Sequence, residues 1–459
     1  MRADQLVDVR IAWRPPQWVR ALLAVGRGLR WVARTAWWWR FEGAIVLAFL
    51  LARDGFASWL GADLSTLAAV AVAGGLLVWP TCRRLIVGRA WCSVSRRRLV
   101  SCLRETRATT RSGELPTVVR SRRTVVGERI TLWCRLGQSA EQIAQRIDAV
   151  RAAAYCREVR VARDPRRAQL VHVDVIRRDT LRASLPALPV PDVVDLAAVH
   201  IGQREDGLPW LIRLLGTHVL VAGVTGSGKG SVTWSLLRAI APMIRGGVVQ
   251  VWAADPKGGM ELGLGRPLFT RFACADYGEM VDLLDDAVTV MKDRAARLAG
   301  HVRQHTPTPA EPLIVVLVDE VANLTAYLPD RDLRRRADAA LALLLTQGRA
   351  VGVTVVAALQ DPRKEILNYR NLFPTKVALR LDEPSQVDMV LGAGARDRGA
   401  LADTIADTSP GVGYVREDGS IAVTRVRAAY LTDQQITDTA AGYPAPGPDG
   451  RSDEAGAAA

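Results

Sequence analysis

A short apolar run, His218-Val219-Leu220-Val221-Ala222, leads into Gly223-Val224-Thr225-Gly226-Ser227-Gly228-Lys229, and Gly230-Ser231 then opens Val232–Leu237, which continues as a helix. Strand, glycine loop and helix in this order constrain the chain more than any other stretch. The glycines let successive backbone N–H groups turn inward onto a polyanion, the helix N-terminus adds its positive dipole end, and the lysine reaches the β- and γ-phosphates. Gly223, Val224, Thr225, Gly226, Ser227, Gly228, Lys229, Gly230 and Ser231 are therefore the candidate nucleotide-binding residues, with ATP and Mg²⁺ as the expected cofactors. The hydroxyl such loops place directly after the lysine is replaced by Gly230, and Ser231, one step later, is the hydroxyl nearest to a nucleotide-bound ion.

Strands and helices alternate over residues 192–435, as a parallel sheet requires. Val248–Ala253 reads as a strand ending in Asp255-Pro256-Lys257-Gly258-Gly259, a helix runs through Glu279–Leu298, and Leu313–Val318 is a buried strand ending in Asp319-Glu320. An acid at the end of a buried strand beside a phosphate loop can hold the hydration shell of Mg²⁺, the role assigned to Asp319, and Glu320 can polarise the attacking water. The next strand ends in Gln360, an amide suited to sensing the γ-phosphate. Arg349, just before that strand, is a candidate for a charge-stabilising contact, including one made across a subunit boundary; a surface arginine is the alternative.

Charge is distributed unevenly. The chain carries a net charge of +14, and residues 1–130 hold 22 arginines, no lysine and eight acids, so the whole surplus lies at the N-terminal end. That placement argues for an anionic membrane surface more directly than for DNA. Nine of the 13 tryptophans precede residue 92, as in an aromatic belt at headgroup level. Leu64–Cys82 is uncharged over 19 residues, close to the ~20 needed to span a bilayer. Gly43–Ala52 is shorter, but arginines flank the pair on both outer sides, while the connector 53–63 has only Arg53, Asp54 and Asp63. Two spans keep both basic flanks in the cytoplasm. The expectation is a basic, Trp-rich cytoplasmic segment at 1–35 and a membrane hairpin at 36–95, with helices at about 37–53 and 64–82, the motor lying in the cytoplasm. No cleavable signal peptide is read.

Residues 96–190 are expected to form a small α/β domain, with strands at Thr124–Val126, Ile130–Cys134, Val159–Val161 and Leu170–Ile176 around a helix at Ala140–Tyr155. Pro186, Pro189 and Pro191 mark a linker, 191–435 the motor, and 436–459 a disordered tail. The six cysteines form no C-x-x-C pair and read as reduced packing residues; His301 and His305 lack a third ligand in register, so no metal is expected beyond nucleotide-bound Mg²⁺.

The segments HVLVAGVTGSGKG, ADPKGGMEL, MKDRAARL, IVVLVDEVANL, GRAVGVTVVAALQDP and LFPTKVALRLDEPSQVDMVLGAGA, in this order, resemble the FtsK/SpoIIIE family of membrane-tethered DNA translocases, and most of all its actinobacterial plasmid-transfer branch, of the TraSA or TraB kind. The resemblance spans about 200–430, and more weakly 115–180. It implies an α/β, RecA-like P-loop ATPase motor assembled as a homo-hexameric ring around double-stranded DNA, working with other transfer proteins. It also implies roles in the motor for Lys229, Asp319, Glu320 and Gln360, and places Arg363, Lys364 and Arg370 in a DNA-tracking loop. The motor region is net neutral, so DNA would be held by such local bases, mostly through phosphates. Too few residues follow Tyr430 for a winged-helix DNA-orienting domain, and the long linker of cell-division members is missing. Intercellular transfer of a plasmid or integrative element is the first reading; chromosome partitioning at division, a type VII secretion-like export ATPase and a non-hydrolysing regulator are the alternatives.

Overall fold

A computed structural model describes residues 17–164, 166–363 and 368–447. The chain divides between Arg177 and Arg178 into two compact units.

The first unit begins with helix α1 (Gln17–Val78), broken at Gly61, whose φ of 76° and ψ of 167° suit glycine. Trp79 is extended (ψ 118°), as a residue before proline is driven to be, and α2 (Pro80–Glu105) sets off in a new direction. The two helices expected at about 37–53 and 64–82 meet at the kink at Gly61, within the expected connector, and the second stops at Val78, before the corner at Pro80. Among the described residues no single helix is long and apolar enough to cross a membrane, but Leu64–Leu76 and Pro80–Glu105, bent by 91°, meet that length and composition together. The apolar side chains from Ile45 to Val78 are largely exposed, Trp59 at 88% and Val78 at 77%. The basic segment expected at 1–35 lies outside the described residues as far as 16.

β1 (Thr117–Arg123), β2 (Gly127–Trp133), α3 (Ala140–Ala144), α4 (Ile147–Ala154), β3 (Glu158–Arg163) and β4 (Leu170–Ile176) follow. The strands form an antiparallel sheet in the order β1-β2-β4-β3. Every second residue of β2 and β4 is buried, and Ile130, Leu132, Val171 and Val173 share a core with Leu99 and Leu103 of α2. Thr124–Val126, expected as a strand, belongs to the β1–β2 turn, in which Thr124 N–H bonds Gly127 O at 2.8 Å. The true strand, TVVRSRR, lies just before it with mostly exposed arginines that hide its period. The helix expected at 140–155 is two pieces, parted where Arg146 leaves helical geometry (φ −110°, ψ 12°) and its Nε bonds Thr106 O.

In the second unit β5 (Leu185–Pro186), β6 (Val199–Arg204) and β7 (Pro209–Ile212) precede β8 (Val219–Ala222), α5 (Lys229–Arg245), β9 (Val249–Ala254), β10 (Arg271–Ala273), α6 (Tyr277–Leu298), β11 (Leu313–Val318), α7 (Arg331–Gln347), β12 (Val353–Leu359), β13 (Thr375–Ala378), α8 (Pro384–Leu391), β14 (Val412–Arg416), β15 (Thr424–Tyr430) and α9 (Asp433–Gly442). The main sheet runs β10-β9-β11-β12-β8-β13-β14-β15-β6-β7, parallel from β10 to β13 and antiparallel beyond, with β5 beside β15. Both faces are covered. Val219 and Val221 meet α5 on one side, while Ile314, Val316 and Val318 meet α6 and α7 on the other, so the buried strands read as continuous apolar runs.

Two expected boundaries move. The proline-marked linker is part of the second unit: Arg238 donates to Leu188 O, Arg427 to Leu181 O and Arg182 O, and Pro186, which has no N–H to give, sits on a short peripheral strand. The tail expected to be disordered from 436 is helical through 442, because Thr432 and Gln435 form a capping box and Ile436 and Ala440 are buried. Residues 448–459 lie outside the described residues.

Candidate nucleotide site

Parallel register decides what meets at one edge of the sheet. Ala222 is level with Leu359, Val318 with Ala357, and Val318 with Ala254, so β8, β12, β11 and β9 end side by side. The residues just past these strands therefore converge: the glycine loop, Gln360, Asp319-Glu320 and Asp255–Lys257, at the carboxyl ends where α/β sheets take their ligands.

The loop is built to remain open toward a ligand. Gly226 and Gly228 have φ of 73° and 94°, and a Cβ on Gly228 would come within 2.2 Å of Gly411 N. Gly223 has no room for a side chain because Ser227 Oγ occupies that place, buried and without a hydrogen-bond partner. Gly223 N–H donates to Leu359 O at 2.9 Å, and Val224 N–H to Arg380 O at 3.0 Å. Helix α5 starts here with no side-chain cap and no acid in its first turn, leaving its N-terminal N–H groups to an anion. Lys229 Nζ folds over the loop, donating to Gly223 O (2.8 Å) and Val224 O (3.3 Å). Burial lowers its affinity for the proton, with Lys257 adding to that effect and Glu320 and Asp319 opposing it. Gly230 has nothing closer than 3.8 Å to a built Cβ, so the lost hydroxyl at that position is not enforced by packing.

The acids have distinct surroundings. Asp319 Oδ2 accepts Lys257 Nζ at 2.7 Å. Burial works against the charge on Lys257, but Asp319, Glu261 and Glu320 more than offset it and raise its pKa. Glu320 Oε1 accepts Gln360 N–H at 3.3 Å, its Oε2 is buried without a partner, and burial raises its carboxyl above the ordinary range. Thr225 Oγ1 donates to Gln360 Oε1 at 3.0 Å, which ties the sensor amide to the phosphate loop. Asp255 organises the turn beyond β9, accepting from the N–H groups of Lys257, Glu261 and Leu262 at 2.9–3.1 Å.

Lys229, Asp319, Glu320 and Gln360 are thus brought together as the sequence predicts. Arg349 is not: it lies before β12, at the opposite end of a seven-residue strand, roughly 20 Å from Gln360. There its Nε bonds Gly216 O and its Nη2 pairs with Asp418 at 2.6 Å. Of the candidate DNA-tracking residues, Arg363 pairs with Asp361, Arg370 Nε turns onto Met389 O at the end of α8, and Lys364 lies outside the described residues. Sequence reasoning passed over two cations at this edge. Lys257 follows β9, and Arg380, just past β13, donates to Thr225 O (3.1 Å) and pairs with Asp407. Both stand in quoted motif segments, Lys257 after a predicted strand and Arg380 after β13, a strand not predicted from the sequence; strand order is what marks them.

The orphaned Ser227 hydroxyl and the uncapped helix start fit a phosphate chain, and the orphaned Glu320 oxygen fits a water beside it. Among the described residues no group of three or more His, Cys, Asp or Glu is placed to hold a metal. An ion here would be held by Asp319 and would draw its remaining ligands from phosphate and water; Ser231, in the first turn of α5, has its Cβ against Gly411.

No family model matches the chain. The DNA translocase FtsK of Staphylococcus epidermidis is 26% identical over 261 residues, 52% of this chain and 31% of that protein. Transfer protein TraSA of Streptomyces ambofaciens is 28% identical over 345 residues, 69% of this chain and 79% of that protein. The chain is a homologue of FtsK and TraSA. It spans about a third of the FtsK protein's length but most of TraSA's. Among solved structures, the pCW3 conjugation coupling protein TcpA, in monomer form with ATPγS, aligns over 76% of this chain and 99% of that chain at a TM-score of 0.49 and 17% identity. The cytoplasmic domain of the type VII secretion ATPase EccC of Thermomonospora curvata aligns over 60% and 34% at 0.44 and 22%.

Proposed function

We propose that the chain is a membrane-anchored ATPase that moves double-stranded DNA, serving transfer of a plasmid or integrative element between cells. The observation that carries this is the convergence of the phosphate loop, Asp319-Glu320 and Gln360 at one sheet edge. Lys229 and the loop N–H groups bind and orient the phosphates. Asp319 would hold Mg²⁺, which when bound would supply charge neutralisation on the phosphoryl oxygens. Glu320 accepts a proton from the attacking water, and Gln360, bonded to both Thr225 and Glu320, carries the state of the γ-phosphate to the segment after β12.

Similarity to a transfer protein over most of both lengths supports the transfer reading, whereas the longer FtsK relatives match over the shared region only. In this reading a homo-hexameric ring encloses the duplex, and Arg363, Lys364 and Arg370 face its phosphates. The exposed apolar stretch between Ile45 and Val78 is the anchor, with the motor in the cytoplasm. The test is displacement of a third strand from duplex DNA by detergent-solubilised protein with ATP. Displacement should vanish in Lys229→Ala while DNA binding persists. Hydrolysis that DNA does not stimulate would favour an export or regulatory ATPase.

A further inference from the structure

A groove of about 400 Å³ runs between the N-terminal half of α2 and β1, lined by Arg84, Arg89, Arg120, Arg122 and Arg123 with Leu85 and Val119. Its floor is fixed. Arg123 crosses over Gly88, where a Cβ would come within 2.8 Å of its Cδ, and donates Nη1 to Arg84 O at 2.9 Å; Ser121 Oγ donates to Cys92 O at 3.3 Å. All five arginines are exposed, and no carboxylate pairs with any of them among the described residues. The acid opposite Arg123 in register, Glu128, is already held by Arg177 and Ser95. Five like charges in one groove repel one another unless an anion joins them.

Two features identify the anion. Leu85 and Val119 stand in the groove 64% and 48% exposed, so its occupant offers apolar as well as anionic surface. The groove also opens on α2 just after the corner at Pro80, directly beyond the exposed apolar run that ends at Val78 and Trp79. An arginine cluster bordering such a run sits at headgroup depth when the run is in a bilayer, and guanidinium forks match phosphate oxygens. We propose that this groove binds the headgroup of an anionic phospholipid, which would fix how the first unit stands on the membrane. The proposal rests on the membrane-anchoring reading above.

The test uses full-length protein in neutral detergent micelles, titrated with dihexanoyl phosphatidylglycerol or dihexanoyl phosphatidylcholine and read by native mass spectrometry. Phosphatidylglycerol should be retained and phosphatidylcholine should not. Arg84→Gln, Arg89→Gln and Arg122→Gln combined should weaken retention by about fivefold per arginine, on the order of a hundredfold in all. The corresponding triple lysine variant should keep most of it; equal loss in both variants overturns the charge argument. Equal retention of the two lipids overturns the proposal, as does inorganic phosphate or a short DNA duplex binding more tightly than phosphatidylglycerol and losing that binding in the glutamine variant. Alkaline carbonate extraction of cell membranes separates the two levels: release of the wild type breaks the anchoring reading, whereas a retained wild type with no lipid selectivity breaks only the groove.

Discussion

The two ends of strand Val353–Leu359 carry residues of similar promise in sequence and opposite character in structure. At one end Gln360 joins Lys229, Asp319 and Glu320, where α5 starts without a side-chain cap and the Ser227 hydroxyl and one Glu320 oxygen lack protein partners. At the other, Arg349 is bonded to a carbonyl and a carboxylate, and the Nδ1 of His218 beside it accepts the Val355 N–H, its Nε2 being buried without a partner among apolar neighbours. Unsatisfied oxygens gathered beside a glycine loop and an uncapped helix start mark a place prepared for a ligand, whereas Arg349 is closed off by its own partners.

Glu320→Gln should break the first end most severely. Loss of a general base costs roughly 10²–10⁴-fold in rate, so hydrolysis should stall while nucleotide still binds, checked by steady-state kinetics beside equilibrium binding. Unchanged turnover would remove Glu320 from the chemistry.

His218 sharpens the contrast at the other end. Burial, then the charge of Arg349, lowers its pKa from 6.5 to about 4. The neutral ring is therefore the folded form, and its stabilisation is present above pH 6.5 and is lost as pH falls toward 4, because the unfolded chain binds the proton first. That linkage is on the order of 3 kcal/mol, and denaturant melts of wild type and His218→Gln across this window should differ in slope.

Lys257→Met leaves the mostly buried Asp319 without its counter-charge. Stability should fall by about 1–3 kcal/mol, and Mn²⁺, followed by its paramagnetic signal without nucleotide, should bind more tightly because the lysine no longer competes for the carboxylate. Unaltered Mn²⁺ binding would show that the pair does not compete with metal.

Arg349→Ala should have the smallest effect. Its ion pair is about 40% exposed on both sides and contributes roughly 0–1 kcal/mol, with nucleotide affinity unchanged. A loss of hydrolysis beyond tenfold with binding intact would place this arginine in the site of a second copy and dissolve the distinction between the two ends.

The strand ends were legible because their chemistry demands particular residues at fixed points: glycines where φ is positive, a lysine at the helix start, acids after an apolar run. Lys257 and Arg380 were not, since their meaning depends on β9 lying beside β11 and β13 beside β8, an order that alternation along the chain does not specify. β1 was hidden by its arginines, and the proline-rich stretch read as a linker because the carbonyls that Arg238 and Arg427 bind leave no trace in composition.

Helix α9 bears on how the chain can be shortened. It rests against α5, the element that begins with Lys229, and Arg238 grips Thr439 while Ala445 N–H bonds Pro267 O. A cut at residue 431 would uncover the back of α5, so the resulting inactivity would report a loosened support and not the removal of a partner-binding appendage. A trimmed version meant to preserve function should retain everything through residue 447.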